Sequence, residues 1–164
     1  MKLSDLQTQI EKTYNKYFPT SKISAVYSDR FGANITIRAF IAGDKSENSG
    51  NYWDNDILML SFSINGESGQ ELPKNLTADS ELPEGLELVK WHGHYHTTPE
   101  NPYMCYGSRS LSFRKTSGNA EKIIITLDKF FAKFHAQILA DYIAGRIHKN
   151  HLQVVKTHVA DFQP

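Results

Sequence analysis

Apolar residues recur at helical spacing near both ends of the chain. Near the N-terminus they occupy positions 3, 6, 10, 14 and 17, and Pro19 is expected to end this helix. Ser4 and Gln7 have the form of a capping box at its start. The polar residues 116–119 are expected to cap the start of a second, longer helix. Its apolar stripe has spacings of three and four and is formed by Ile123, Leu127, Phe130, Phe131, Phe134, Ile138 and Tyr142. Gly145 is expected to end this second helix.

Between the two helical stripes, the pattern is typical of β-strands. Residues 23–28 and 34–42 are rich in β-branched side chains, and Gly32 between them favours a hairpin turn. In the second run, apolar residues at positions 35, 37, 39 and 41 alternate with polar ones and are expected to share one face.

Three further runs predict strands, over residues 57–64, 86–96 and 111–115. Residues 65–85 hold five acidic residues and two Leu-Pro pairs, which predict a long, exposed and irregular loop. A last edge strand is expected over residues 152–159.

The order of these elements indicates the fold class. Strands in a run, with helices at the ends, indicate an α+β domain. We expect a mainly antiparallel sheet of about five strands, with an N-terminal helix and a long amphipathic C-terminal helix. The 164 residues suit a single domain over 1–164, and an apolar fraction of 40% argues against disorder.

Composition limits the compartments in which the protein is expected to occur. The single cysteine, Cys105, rules out an internal disulfide framework and is expected to be a small packed side chain. No run is apolar enough for a signal peptide or a membrane span. These features predict a soluble, cytoplasmic protein without a membrane partner.

Charge is balanced overall but distributed unevenly. Residues 1–89 carry 8 Lys and Arg against 13 Asp and Glu, whereas residues 90–164 carry 10 against 5 and all seven histidines. This asymmetry indicates either a basic contact face on the second half or attraction between the two halves within one fold.

Three histidines at alternate positions form the most informative local cluster. On a strand, His92, His94 and His96 share one face, while Trp91 and Tyr95, continuing from Val89, are expected to face the core. Residues two apart on a strand are separated by about 6.6 Å, so neighbouring histidines can share a metal ion but three cannot. The pattern therefore predicts at most a two-histidine site with an outside ligand, for zinc or another divalent transition metal.

One segment resembles a known metal-binding motif. His94, His96 and Glu100, followed after six residues by Gly107, resemble the first metal-binding motif of the cupin family. The resemblance implies that these three residues hold a metal inside a β-barrel. It covers fourteen residues, and the second cupin motif has no counterpart because no proline occurs in residues 103–163.

Aromatic and basic residues are interleaved in the segment that follows the histidines. They are Tyr103, Tyr106, Arg109, Phe113, Arg114, Lys115 and Lys122. Proteins that bind single-stranded nucleic acid combine aromatic platforms with cations, although a solvated strand edge has the same composition.

Three functional hypotheses follow. The first is a binding or regulatory module without catalytic activity, which contacts a protein or nucleic-acid partner through a surface within residues 92–122. Its expected contact residues are His92, His94, His96, Tyr103, Tyr106, Arg109, Arg114 and Lys115. The second is a metal-dependent enzyme that uses a pair of these histidines with Glu100. The third is a regulator whose histidines change charge together with pH.

Overall fold

The computed structural model of the protein describes residues 1–19, 22–28, 34–40, 59–67, 72, 75–89, 92–95, 109–112 and 116–145. These residues form two helices and seven strands, in the order α1 (Leu3–Tyr14), β1 (Lys22–Ser28), β2 (Asn34–Phe40), β3 (Met59–Gly66), β4 (Leu86–Val89), β5 (His92–Tyr95), β6 (Arg109–Ser112), β7 (Thr116–Gly118) and α2 (Ala120–Ile143). The protein is therefore of the α+β class. The expected number of about five strands is not confirmed.

The strands form one sheet in which every described pairing is antiparallel, with β3 in a central position. On one side of β3 lie β2 and then β1. On the other side, β4 and β5 pair with different parts of β3, and they are flanked by β7 and β6, respectively. The predicted hairpin is confirmed in β1 and β2.

Both helices pack on one face of the sheet. The core includes the α1 residues Leu3, Leu6, Ile10 and Tyr14 and the α2 residues Ile123, Leu127, Phe130, Phe131, Phe134 and Ile138. These side chains pack with Ile64, Leu86 and Leu88 of the sheet. Because successive strand residues alternate between faces, positions 59, 61, 63 and 65 of β3 belong to the face opposite the helices.

Aromatic rings fix the contact between the two helices. The Tyr14 ring stacks on Phe18 with a centroid separation of 4.6 Å and meets Phe131 edge-on at 5.0 Å. All three side chains are fully buried. The long apolar stripe predicted from the sequence is thus the core-facing side of α2, which also buries His135 and Asp141.

The predicted cap at the start of α1 is wrong, whereas the predicted signals at the two ends of α2 are correct. The α1 helix begins one residue before Ser4, and the Lys2 amide donates a hydrogen bond to the Asp5 carboxylate at 3.2 Å, so the predicted Ser4 capping box is wrong. At the start of α2, the Asn119 side chain accepts a hydrogen bond from the Lys122 amide at 2.9 Å. Gly145 follows the end of α2 with a φ of +70°, as expected of a helix-terminating glycine.

The predicted exposed loop over residues 65–85 is only partly irregular and exposed. Its first two residues belong to β3, and Leu72 and Leu76 are buried in the core. The carbonyl groups of Ala78 and Ser80 accept hydrogen bonds of 3.0 Å from the first amides of α1. The segment therefore closes one end of the helix layer, which its acidic composition did not indicate.

The strand predicted over residues 86–96 is confirmed in its two described parts, Leu86–Val89 and His92–Tyr95, which both pair with β3. Val89 pairs with Ser63 of β3, whereas Gly93 pairs with Leu60. Three residues separate Val89 from Gly93 but only two separate Leu60 from Ser63, which is the count that defines a β-bulge. Val89 and Gly93 consequently lie on opposite faces, so the expectation that Val89 shares a face with Tyr95 is wrong.

The strand predicted over residues 111–115 overlaps β6, which begins two residues earlier. Residues 116–118, expected to cap the helix, form β7 instead. Several expectations lie outside the described residues. They concern the turn at Gly32, the packing of Trp91 and Cys105, and the strand residues 41–42, 57–58, 90–91, 96, 113–115 and 152–159.

Candidate binding surface

The paired strands β5 and β6 bring together the predicted contact residues that the structure describes. His92 pairs with Ser112, His94 with Ser110, and Tyr95 with Arg109. Arg109 therefore lies on the strand next to that of His92 and His94, although it is 15 or more residues from them in sequence. The two strands are paired in antiparallel orientation, and we call them, with the chain that connects them (residues 92–112), the histidine hairpin.

The sheet register assigns the histidine positions to a face. His94 pairs with Met59, and Met59 belongs to the face opposite the helices. His92 shares this face because it is two residues from His94. By contrast, Gly93 pairs with Leu60 and Arg109 pairs with Tyr95, so both belong to the face on which the helices pack. The expected position opposite the core is thus confirmed for His92 and His94. His96 lies outside the described residues, and Arg109 does not share the face of the two described histidines.

The remaining predicted contact residues lie outside the described residues. His96, Tyr103 and Tyr106 belong to residues 96–108, whose ends adjoin the paired Tyr95 and Arg109. Arg114 and Lys115 fall between β6 and β7. The first segment therefore connects the two strands of the histidine hairpin in the sequence, and the second follows its last strand.

The predicted metal ligands are only partly within the described structure. Of His94, His96 and Glu100, only the backbone of His94 is described. Within the described residues, no group of three or more His, Cys, Asp and Glu side chains is placed to hold a metal ion. The zinc or transition-metal site stays a prediction.

A buried carboxylate at the other end of the same sheet face was missed at the sequence level. Glu87 pairs with Asn65 on one side and Ser117 on the other, and its residue is only 8% exposed. The Ser117 hydroxyl donates a hydrogen bond of 3.4 Å to the Glu87 carboxylate. A single acidic residue inside the apolar run Leu86–Val89 was the signal for this burial. Along β3, the partner of Glu87 (Asn65) and the partner of His94 (Met59) are about 20 Å apart.

A second polar cluster joins the helices. The Tyr17 hydroxyl donates a hydrogen bond of 3.0 Å to the Asp128 carboxylate, and the Lys16 ammonium group lies 3.3 Å from the same oxygen atom. Burial raises the pKa of Tyr17 above its usual value of 10.0, and so do the hydrogen bond to Asp128 and its negative charge. Because it links the turn that follows α1 to α2, this cluster stabilises the helix layer.

A cavity of about 440 Å³ lies at the N-terminal end of α2. Leu82, Leu86 and Ala120 contribute apolar surface to it, and Glu84 and Glu121 contribute carboxylates. The carboxylates oppose the binding of an anion at the helix N-terminus. Leu86 pairs at the opposite end of β3 from His94, so the cavity is separate from the histidine hairpin.

The chain matches no protein-family model, no curated protein and no solved structure. Neither of the two described helices has the length and apolar character needed to cross a membrane.

Proposed function

We propose that the protein is a binding or regulatory module without catalytic activity of its own. It contacts a protein or nucleic-acid partner through the histidine hairpin and the chain that follows it, up to the first turn of α2 at Lys122. The observation that supports this proposal most directly is the pairing of β5 with β6. It joins two histidines, one arginine and both ends of the aromatic segment 96–108 in one local unit.

The chemistry of this unit suits reversible association. Histidine and arginine supply donors and titratable or permanent positive charge, and tyrosine supplies large contact area with a polar end. Such residues anchor interfaces, while charge complementarity guides the approach of the partner. The residues after position 89 carry the excess of basic side chains, which favours an acidic partner surface.

The helix layer is the less suitable surface for this role. Its inner side is occupied by the core, and the cluster of Lys16, Tyr17 and Asp128 uses its polar groups within the protein. The cavity beside α2 bears carboxylates rather than basic groups. The histidine hairpin is therefore the better candidate surface.

The experiment compares partner retention by three immobilised proteins. They are the wild type, the double variant His92→Ala/His94→Ala, and a control double variant Lys129→Ala/Lys133→Ala with substitutions on the exposed side of α2. Retained protein and nucleic acid are both quantified, and circular dichroism verifies that each variant is folded. The metal content of each preparation is measured in parallel.

The proposal predicts that the wild type and the α2 control retain the same partner and that the histidine variant loses it. Equal retention by all three proteins would contradict the proposed surface. Stoichiometric zinc, iron or nickel that disappears in His94→Ala would instead establish the metal-dependent enzyme as the better hypothesis.

A further inference from the structure

The strand registers place residues from five different strands in one row across the sheet. Lys22 pairs with Phe40, which pairs with Met59. Met59 pairs with His94, which pairs with Ser110. This row combines a cation, an aromatic residue and a histidine at neighbouring positions, although they lie far apart in the sequence.

The next row along the strands adds a second cation. Ser24 pairs with Arg38, and Arg38 pairs with Ser61. His92, two residues from His94, is opposite Ser112. Arg38 is likewise two residues from Phe40, so both rows belong to the same face. We call this set of positions, namely Lys22, Arg38, Phe40, His92 and His94, the basic rows.

The basic rows lie on the face opposite the helices. Their β3 members, Met59 and Ser61, alternate with Leu60, which has the same parity as the fully buried Ile64. Ile64 packs with helix residues in the core. Both described helices therefore lie on the other side of the sheet.

Basic and acidic residues lie at different ends of this face. Among the described strand positions of the face, the only carboxylate is Glu87, which is buried about 20 Å along the strands from the row of His94. The basic rows contain Lys22 and Arg38 and no acidic residue. With strands spaced by roughly 4.8 Å, the positions of Lys22 and His94 are about 14 Å apart.

From this juxtaposition we propose that the partner is a single-stranded nucleic acid, which lies across the basic rows on the face opposite the two described helices. Sheet faces of this kind hold unpaired bases by stacking them on aromatic residues, and nearby cations neutralise the phosphates. Phe40 supplies the stacking platform, and Lys22 and Arg38 supply the cations. Serines in the same rows at positions 24, 61, 110 and 112 supply small hydroxyl groups for hydrogen bonds to sugars, phosphates and base edges.

This inference rests on the proposed function and deepens it, because it names the partner class and adds three residues outside the histidine hairpin. A single strand fits better than a duplex, since stacking on Phe40 requires an unpaired base. The zero net charge of the chain limits nonspecific attraction, so binding depends on these few local contacts.

The test measures fluorescence anisotropy of labelled oligo-dT and oligo-U of about 15 nucleotides, and of a DNA duplex of the same length. Two variants alter the basic rows, Lys22→Gln/Arg38→Gln and Phe40→Leu. A control variant, Lys129→Gln/Lys133→Gln, removes the same charge from exposed positions of α2. Circular dichroism and thermal melting verify the fold, and the charge variant alone decides the test if Phe40→Leu is unfolded.

The expected result is binding of the single strands, weakened about tenfold or more by each alteration of the basic rows and unchanged in the α2 control. The slope of log affinity against log salt concentration should also fall by about 1.4 when Lys22 and Arg38 are both replaced, because each phosphate contact on a single strand contributes about 0.7. These outcomes together support the inference.

Equal weakening by the α2 control would overturn the inference, because it would indicate general electrostatic attraction. Absence of single-strand binding, or preference for the duplex, would overturn it as well. The proposed function is judged separately by the retained partner. If a protein partner is retained and then lost in His92→Ala/His94→Ala, the nucleic-acid inference fails while the proposed function stands.

Discussion

His94 lies directly opposite Met59 in the sheet, in a register that is offset by one residue from the register that pairs Leu88 with Ile64. On their other side, β4 pairs with β7 and β5 pairs with β6 in one continuous register. Leu88 pairs with Thr116, and His92, four residues later, pairs with Ser112, four residues earlier. The chain from Val89 to Gly93 therefore has one extra residue relative to β3 alone. It determines which face the histidine positions occupy.

Removing this extra residue should destabilise the sheet. Deletion of Lys90 would align β4 and β5 in one register on β3 but would shift one of them by a residue against β6 or β7. A one-residue slip moves every following side chain to the opposite face. We expect a loss of about 2 kcal/mol or more in the free energy of unfolding, measured by urea denaturation. Lys90→Ala keeps the chain length and serves as the control; equal losses in both variants would contradict the role of the extra residue.

The segment that closes the helix layer should contribute to stability through Leu72. This side chain is 1% exposed and belongs to the core cluster. Leu72→Ala should lower the free energy of unfolding by about 2–5 kcal/mol, as expected for a buried leucine. The exposed neighbour Asp79, replaced by alanine, should change it by less than about 0.5 kcal/mol. An unaltered denaturation midpoint in Leu72→Ala would show that residues 65–85 do not pack as described.

The start of α2 should depend on one side chain. Asn119→Ala removes the acceptor for the Lys122 amide and should cost about 1 kcal/mol of stability. Asn119→Asp retains an acceptor and adds a favourable charge at the helix N-terminus, so it should preserve the wild-type value. Thermal denaturation of the three proteins measures this difference, and a destabilised aspartate variant would argue against the cap.

The cluster between the helices should make stability decline at alkaline pH. The pKa of Tyr17 is raised in the folded protein, chiefly by burial and then by Asp128. A raised pKa stabilises the fold fully below the unfolded value of about 10, and this contribution is lost as the pH rises through the folded value. Melting temperatures between about pH 8 and 11 should therefore fall less steeply in Tyr17→Phe than in the wild type. Parallel curves would contradict this linkage.

Local periodicity was sufficient to predict the two helices and the first hairpin. Apolar spacing along α2 predicted the core stripe from Ile123 to Ile138, and the alternation around Ile37 predicted β2. By contrast, the extra residue between Val89 and Gly93 is defined only by pairing with β3, which is distant in sequence. Isolated leucines in an acidic segment give no period, so the burial of Leu72 could not be predicted.

The candidate surface shows the same division between local and long-range information. The alternation of His92 and His94 predicted that they share a face opposite the core, and the register confirms this. Lys22, Arg38 and Phe40 join them only through three successive strand pairings. No spacing within the sequence indicates that row, because the residues come from three separate parts of the chain.

Hydrogen–deuterium exchange of the protein with and without its retained partner tests the proposed surface most directly. We expect the partner to protect amides in the histidine hairpin and the chain leading to Lys122, with little change in the rest of α2 and in α1. Protection confined to the helix layer, with no change over residues 92–122, would contradict the proposal.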